Sequence, residues 1–335
     1  MTNTTKARLI ATFIAFSLCV TWFLLTRGAA NGNSQNSLTL YVFVADSHIH
    51  GHYDQLAGVW KSRIGGNWIA GRLADAFAQD GALSDAAYQS VFGAYNAVWL
   101  LLIFATLICL ADNPVFVIPF VFAGLCYSLT PPDAVTIFPW DLPSMFFWTL
   151  SFLLWQRRNY LWMLAAIVLG TVFKETVAVT ALLFFFTALN RRRRWVFFGV
   201  AFVACLLLRL WITHAVMGQA QVFTADSRGQ LSSNVLKDLF TLHLNHFLWA
   251  NAGTFIVALF LPMKTLADKG TKLVLVVFLA GLMAACALAA TGLEFRQLLD
   301  VLPLSVLYLD RTIQNWRASE IRPGSPPVPS PENHQ

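Results

Sequence analysis

Apolar runs separated by short polar breaks recur along nearly the whole chain. A membrane crossing needs about 20 predominantly apolar residues, and lipid offers an irregular backbone no hydrogen-bond partner, so such runs form helices. The pattern predicts spans near 9–26, 88–111, 114–130, 134–155, 159–173, 176–190, 195–217, 239–262, 273–292 and 297–310. Several are short for a full crossing and are expected as tilted or broken helices. The predicted fold class is therefore all-α, a polytopic transmembrane helix bundle of about ten spans. The first run has the apolarity of a signal peptide, but no small-residue cleavage pattern follows it, and the spans beyond it favour an anchor. Neither an internal repeat nor the inverted halves of a transporter can be read.

Composition sharpens this reading. Of 335 residues, 57% are hydrophobic and only 12% charged, against about a quarter charged in soluble domains. The formal charge of +6 does not point to nucleic acid, because the basic residues sit in short runs between apolar segments, the pattern that orients membrane proteins. With the N-terminus in the cytoplasm, Lys6, Arg8, Arg157, Arg158, Arg191 to Arg194, Lys264, Lys269, Lys272, Arg311, Arg317 and Arg322 fall on one side, more than half of the 23 Lys and Arg residues. An even number of spans returns the C-terminus to that side. The tetra-arginine at 191–194 is expected to orient the chain and touch anionic lipids. The five cysteines lie in apolar runs without a C-x-x-C neighbour and read as packing residues.

This divides the chain into a first transmembrane span (1–26), an outer loop (27–87), a multi-span transmembrane domain (88–311) and a disordered cytoplasmic tail (312–335) rich in Pro and Ser. The loop begins with a flexible stretch, AANGNSQNS. Farther on, Leu56, Val59, Trp60, Ile64, Trp68, Ile69, Leu73 and Phe77 recur at roughly helical spacing. Two short amphipathic helices lying on the membrane surface are expected, broken at Gly65-Gly66.

This topology brings ionisable groups from four separate parts of the sequence to the outer face. They are Asp46, His48, His50, His52 and Asp54; Asp141 in FPWDLPS; Lys174-Glu175-Thr176 in a tight turn; and Glu294, Arg296 and Asp300 before the last span. Charges at the hydrocarbon boundary usually face a cavity or one another. Each also has a plainer reading. Asp141 can cap a helix. Lys174 and Glu175 can be a local ion pair. Arg296 and Asp300 share a helix face and can pair structurally, while the Arg296 guanidinium also suits phosphate oxygens. Arg209, inside a span near its outer end, either snorkels outward or holds a phosphate. In DSHIHGHYD an extended strand would put His48, His50 and His52 on one face, a set suited to a divalent metal such as zinc or manganese, although many loop histidines bind nothing. His243 and His246 are expected to line the same cavity or pack on an aromatic ring.

Together these residues resemble bacterial integral-membrane glycosyltransferases of the GT-C fold. The matches are Asp141 with Pro143, the turn Lys174-Glu175-Thr176, and Glu294 with Arg296 ahead of LLDVLPL. They run in family order from the first loop to the last span. The chain departs from the pattern in its shortness and in the distance of Asp46 and Asp54 from span one. The resemblance implies a sugar donor on a polyprenyl phosphate, an acceptor in the cell envelope, and an inner-membrane location with both termini cytoplasmic. It implies a general base at Asp54 or Asp46, with Asp54 favoured by Tyr53-Asp54-Gln55. Arg296 with Lys174 or Arg209 would hold the phosphate, and Asp141, Glu175 and Glu294 would orient the acceptor or the basic residues. Two other functions fit the same charges: a transporter or flippase for a lipid-linked or anionic solute, and a non-catalytic envelope assembly subunit.

Overall fold

The computed structural model describes residues 3–28, 35–53, 56, 63–77, 85–129, 138–217, 253–289 and 299–321, and among these the chain is helical with no strand. The elements are α1 (Asn3–Gly28), α2 (Gln35–His50), α3 (Ile64–Asp75), α4 (Asp85–Leu110), α5 (Pro114–Leu129), α6 (Asp141–Gln156), α7 (Tyr160–Phe173), a 3-10 helix (Glu175–Phe186), α8 (Arg191–Met217), α9 (Gly253–Phe260), α10 (Leu266–Ala289) and α11 (Leu302–Ile321). Among the described residues, three stretches are long and apolar enough to cross a membrane, Thr4–Thr26, Tyr88–Leu110 and Arg191–Val216. Pro114–Cys126, Tyr160–Phe173 and Glu175–Phe186 are apolar but shorter.

The first helix turns most of its large side chains outward. On α1, Ala11, Ala15, Cys19 and Trp22 form the buried stripe, while Leu9, Phe13, Phe16 and Leu24 are exposed. A water-soluble helix would reverse this arrangement. The Thr12, Ser17 and Thr21 hydroxyls donate to carbonyls four residues back, at 2.8 to 3.0 Å, so they need no water. The buried stripe of α1 packs on α4 and α5. From α4 the contacts continue through α6 and α7 to the 3-10 helix, with α8 and α10 against that helix and α11 closing on α5.

The segment after α7 leaves α geometry. Glu175–Phe186 is a 3-10 helix of 12 residues, and such runs seldom exceed about four. Lys174, Val177, Thr180 and Leu183 are buried at every third position, matching its three residues per turn. Thr176, Val177, Val179 and Thr180 are β-branched and crowd the preceding turn of an α-helix. Gly170 on α7 admits the segment: a Cβ there would meet Val177 Cγ1 at 2.6 Å and Phe147 Cβ at 2.7 Å. At about 2.0 Å per residue, these residues extend about 24 Å, farther than the same number would in an α-helix.

The first outer loop differs from expectation in three ways. Gln35 to Ser37, the end of the stretch expected to be flexible, begin α2, which continues as helix to His50. Helical spacing of about 100° per residue separates His48 from His50, which removes the strand premise of the three-histidine metal site. Gly65-Gly66 does not break a helix, because both lie inside α3. They serve close approach instead: a Cβ on Gly66 would run into the Pro139 carbonyl, and one on Gly65 would lie 2.9 Å from Val172. Finally, α3 buries Gly66, Ala70 and Ala74 and exposes Trp68 and Leu73, with Phe77 exposed just beyond its end, so small residues face the bundle and bulky ones face outward.

At the end of the bundle away from Lys174, polar side chains finish helices. Asp310 accepts from the Asp112 and Asn113 amides at 3.1 and 3.0 Å, satisfying the start of α5 from across the chain. Thr265 and Asp268 form a capping box on α10. Arg194 donates to the Leu189 and Phe185 carbonyls, so the fourth arginine of the tetra-arginine run closes the 3-10 helix in addition to any lipid contact. α11 continues through Ile321, so 312–321 is helical where a disordered tail is expected.

Candidate functional site

Helix direction sets the site. α6 begins at Asp141 and the antiparallel α7 ends at Phe173, so Asp141 and Lys174 lie at the same end of the bundle. α8 returns toward that end after the 3-10 helix, bringing Arg209 in its second half. Asp300 lies just before α11, and Arg63 just before α3. Among the described residues, six ionisable side chains from five parts of the chain meet there.

They sort into two clusters. In the first, Glu175 stands between two arginines: Arg63 Nη2 is 2.8 Å from its Oε1 and Arg63 Nε 3.5 Å from its Oε2, while Arg209 Nη2 lies 3.6 Å from Oε2. The Arg63 guanidinium also lies over the Trp140 ring, 5.1 Å from its centre. That ring stacks on Phe138 at 4.8 Å. The clamp carries two positive charges and one negative. Its guanidiniums are nearly covered, whereas the Glu175 side chain keeps 21% of its surface exposed.

In the second cluster, the Lys174 ammonium sits between two carboxylates, 3.0 Å from Asp300 Oδ2 and 3.8 Å from Asp141 Oδ1. All three side chains are buried. Thr176 Oγ1 donates to Asp300 Oδ2 at 2.7 Å, and Ser144 faces the same carboxylate. Burying an ammonium costs several kcal/mol unless it is paired and hydrogen-bonded, and here two carboxylates offset that cost (about 2–5 kcal/mol is lost when one partner of such a pair is removed). This cluster holds α6, the turn and the start of α11 together.

Several sequence expectations change at this point. Lys174 and Glu175 do not pair with each other; they enter different clusters. Asp141 accepts the Phe138 amide at 3.0 Å, closing the turn that leads into α6. Arg209 does not snorkel outward, because it is buried against Glu175. Asp300 takes Lys174 and Thr176, while Arg296, with which its spacing allows a pair, lies outside the described residues. Arg63 was absent from the sequence candidates. Its signal is the Arg-Ile-Gly-Gly step, where paired glycines let the backbone reach Pro139 and bring the arginine to the cluster.

The remaining candidates divide. Asp46 pairs with His50 at 3.2 Å on the exposed side of α2. His48 is buried, 5.4 Å from the Tyr53 ring and 3.5 Å from the Asn67 amide. The His50 and His52 rings stack at 6.0 Å. Among the described residues, no group of three or more His, Cys, Asp or Glu side chains converges as a metal site. Asp54, Glu294, Arg296, His243 and His246 lie outside the described residues. The chain matches no protein-family model, no curated protein and no solved structure.

Proposed function

We propose that this chain is a membrane glycosyltransferase that moves a sugar from a polyprenyl-phosphate donor to an envelope acceptor, with the Arg63–Glu175–Arg209 clamp as its phosphate site. The supporting observation is the clamp: two nearly covered guanidiniums share one carboxylate, at the end of a helical bundle whose outer surface is apolar. A guanidinium fork fits phosphate oxygens, and fixed positive charge stabilises a departing phosphate as its charge develops. The exposed Trp68 and Leu73 of α3, with Phe77 just beyond it, suit an interface where the lipid tail of a donor approaches from the side.

In this reading the chain crosses a bacterial inner membrane about ten times, the shorter apolar helices completing the bundle, with both termini in the cytoplasm. The arginine-rich breaks after α6 and before α8 lie at the cytoplasmic end, and the clamp at the opposite face. Lys174, held by two carboxylates, is a positioning residue, and of the two alternatives Arg209 joins Arg63 at the phosphate. Asp54, or Asp46, remains the base that takes the acceptor proton. The test is sugar transfer from labelled polyprenyl-phosphate sugars by purified protein: Asp54→Asn with Asp46→Asn abolishes it, and full activity in that double variant rejects the base assignment.

One observation favours a second reading, a transporter for a lipid-linked or anionic solute. A 3-10 helix of 12 residues is the kind of element that marks a hinge, and a moving element beside paired charges suits alternating access. Movement of the labelled lipid across liposomes without sugar release separates the two.

A further inference from the structure

We infer that five arginines at the end of the bundle away from the clamp hold one lipid headgroup that carries two phosphates. They are Arg157 and Arg158 after α6, and Arg191, Arg192 and Arg193 at the start of α8. This goes beyond the diffuse contact with anionic lipid expected of the arginine run, and it does not depend on the phosphate role proposed for the clamp. The fold brings the two groups together. The Ala188 amide donates to the Tyr160 hydroxyl at 3.3 Å, with Tyr160 just past Arg158 and Ala188 just ahead of Arg191. The Tyr160 and Phe197 ring centres lie 6.4 Å apart, so the starts of α7 and α8 are side by side. All five arginines are exposed, and among the described residues none has an ion-pair partner. Arg194 stands apart, donating to the Leu189 and Phe185 carbonyls. Carboxylates at this end are engaged elsewhere: Asp310 with the Asp112 and Asn113 amides, Asp268 with the Lys264 and Thr265 amides, and Asp112 with the charge of Arg311.

Orientation in the membrane asks only for positive charge near the helix end; here Arg158 holds that charge at a backbone position that suits glycine. The Arg158 amide donates to the Trp155 carbonyl at 3.0 Å and the Asn159 amide to the Leu154 carbonyl at 2.9 Å, the two bonds that close a helix through a left-handed residue. Arg158 is that residue, with φ at +56°, where glycine carries no steric cost. The start of α7 has no side-chain cap, so its dipole adds positive potential beside the same arginines. Leu161, Trp162 and Trp195 are exposed next to them, and tryptophan at a charged helix end suits the depth of lipid headgroups, which favours a lipid over a soluble anion. Guanidinium forks fit phosphate oxygens. A single phosphate is met by either arginine group alone. A headgroup that joins two phosphates engages both groups, because once the first is bound the second is held at high effective concentration.

The experiment measures lipid binding to purified full-length protein in detergent by native mass spectrometry. Cardiolipin is the two-phosphate probe, and phosphatidylglycerol at equal total phosphate is the single-phosphate one. Wild type is expected to hold one cardiolipin about tenfold more tightly than phosphatidylglycerol, or better. Arg158→Gly and Arg192→Gln should each weaken cardiolipin about fivefold, the effect of one surface charge on an anionic lipid, and change phosphatidylglycerol less. Arg158→Gly also separates binding from folding. Glycine relieves the left-handed residue, so the lipid-free variant should melt at a higher temperature while binding cardiolipin less tightly. Arg317→Gln, at an exposed arginine near the end of α11, should leave cardiolipin binding as it is. Equal affinity for the two lipids, or a loss in Arg317→Gln as large as in Arg158→Gly, means diffuse attraction and overturns the inference. Inorganic pyrophosphate bound as tightly as cardiolipin overturns it too, since a soluble anion would then fill the site.

Discussion

Arg63 and Glu175 lie 112 residues apart in the chain, yet Nη2 of one is 2.8 Å from Oε1 of the other. This contact ties the segment ahead of α3 to the turn after α7, and the small residues around it make the approach possible. Gly65 and Gly66 let α3 lie against α7 and the Pro139 backbone, which carries Arg63 inward. A double-mutant cycle on Arg63→Gln and Glu175→Gln, read from unfolding in detergent, should give a coupling of about 0.5–3 kcal/mol. Additive effects would show that the pair is not an energetic contact.

Gly66→Ala should destabilise the protein by about 1–3 kcal/mol, because the added methyl meets the Pro139 backbone and not a movable side chain. Gly199 is the control. A Cβ there meets nothing within 4 Å, and it lies inside α8, so Gly199→Ala should stabilise by about 0.5–1 kcal/mol. Melting temperatures in detergent that move in opposite directions are the expected result.

Lys174→Met should be among the most damaging single substitutions, costing about 3–5 kcal/mol, since it leaves the Asp141 and Asp300 carboxylates buried without their cation. Adding Asp141→Asn and Asp300→Asn should recover much of that loss. A triple variant no more stable than Lys174→Met would contradict this account of the cluster.

Asp310→Asn should lower stability by about 0.5–2 kcal/mol by weakening the cap on α5. Because Asp310 belongs to the far end of the bundle, binding of phosphate probes at the clamp should be unchanged. A parallel loss of binding would couple the two ends.

Much of this arrangement was legible in the chain. Apolar runs located most helices, and Asp141, Lys174, Glu175 and Arg209 were all expected at one face, where they meet. Their pairing was not legible, because neighbours such as Lys174 and Glu175 diverge only once the turn and the 3-10 helix are set. Arg63 escaped notice because Gly65-Gly66 reads as a break in a polar loop, whereas in the fold the glycines are packing contacts. The histidine run failed for a related reason: alternation in DSHIHGHYD suggests a strand, but the apolar LTLYVFV before it continues as helix. Helix length was less legible than helix position. At about 1.5 Å per residue, the 14 residues of α7 span about 21 Å, short of a hydrocarbon core of about 30 Å.

The central claim is that the clamp serves phosphate in sugar transfer, and the most direct measurement is turnover of a radiolabelled polyprenyl-phosphate sugar by purified protein in proteoliposomes, comparing wild type with Arg209→Gln. The account predicts sugar release by wild type and a loss of about 10²–10³-fold in the variant, the cost of removing one preorganised charge from a developing anion. Equal turnover by both proteins would contradict it, as would donor lipid that is bound and moved across the bilayer with its sugar still attached.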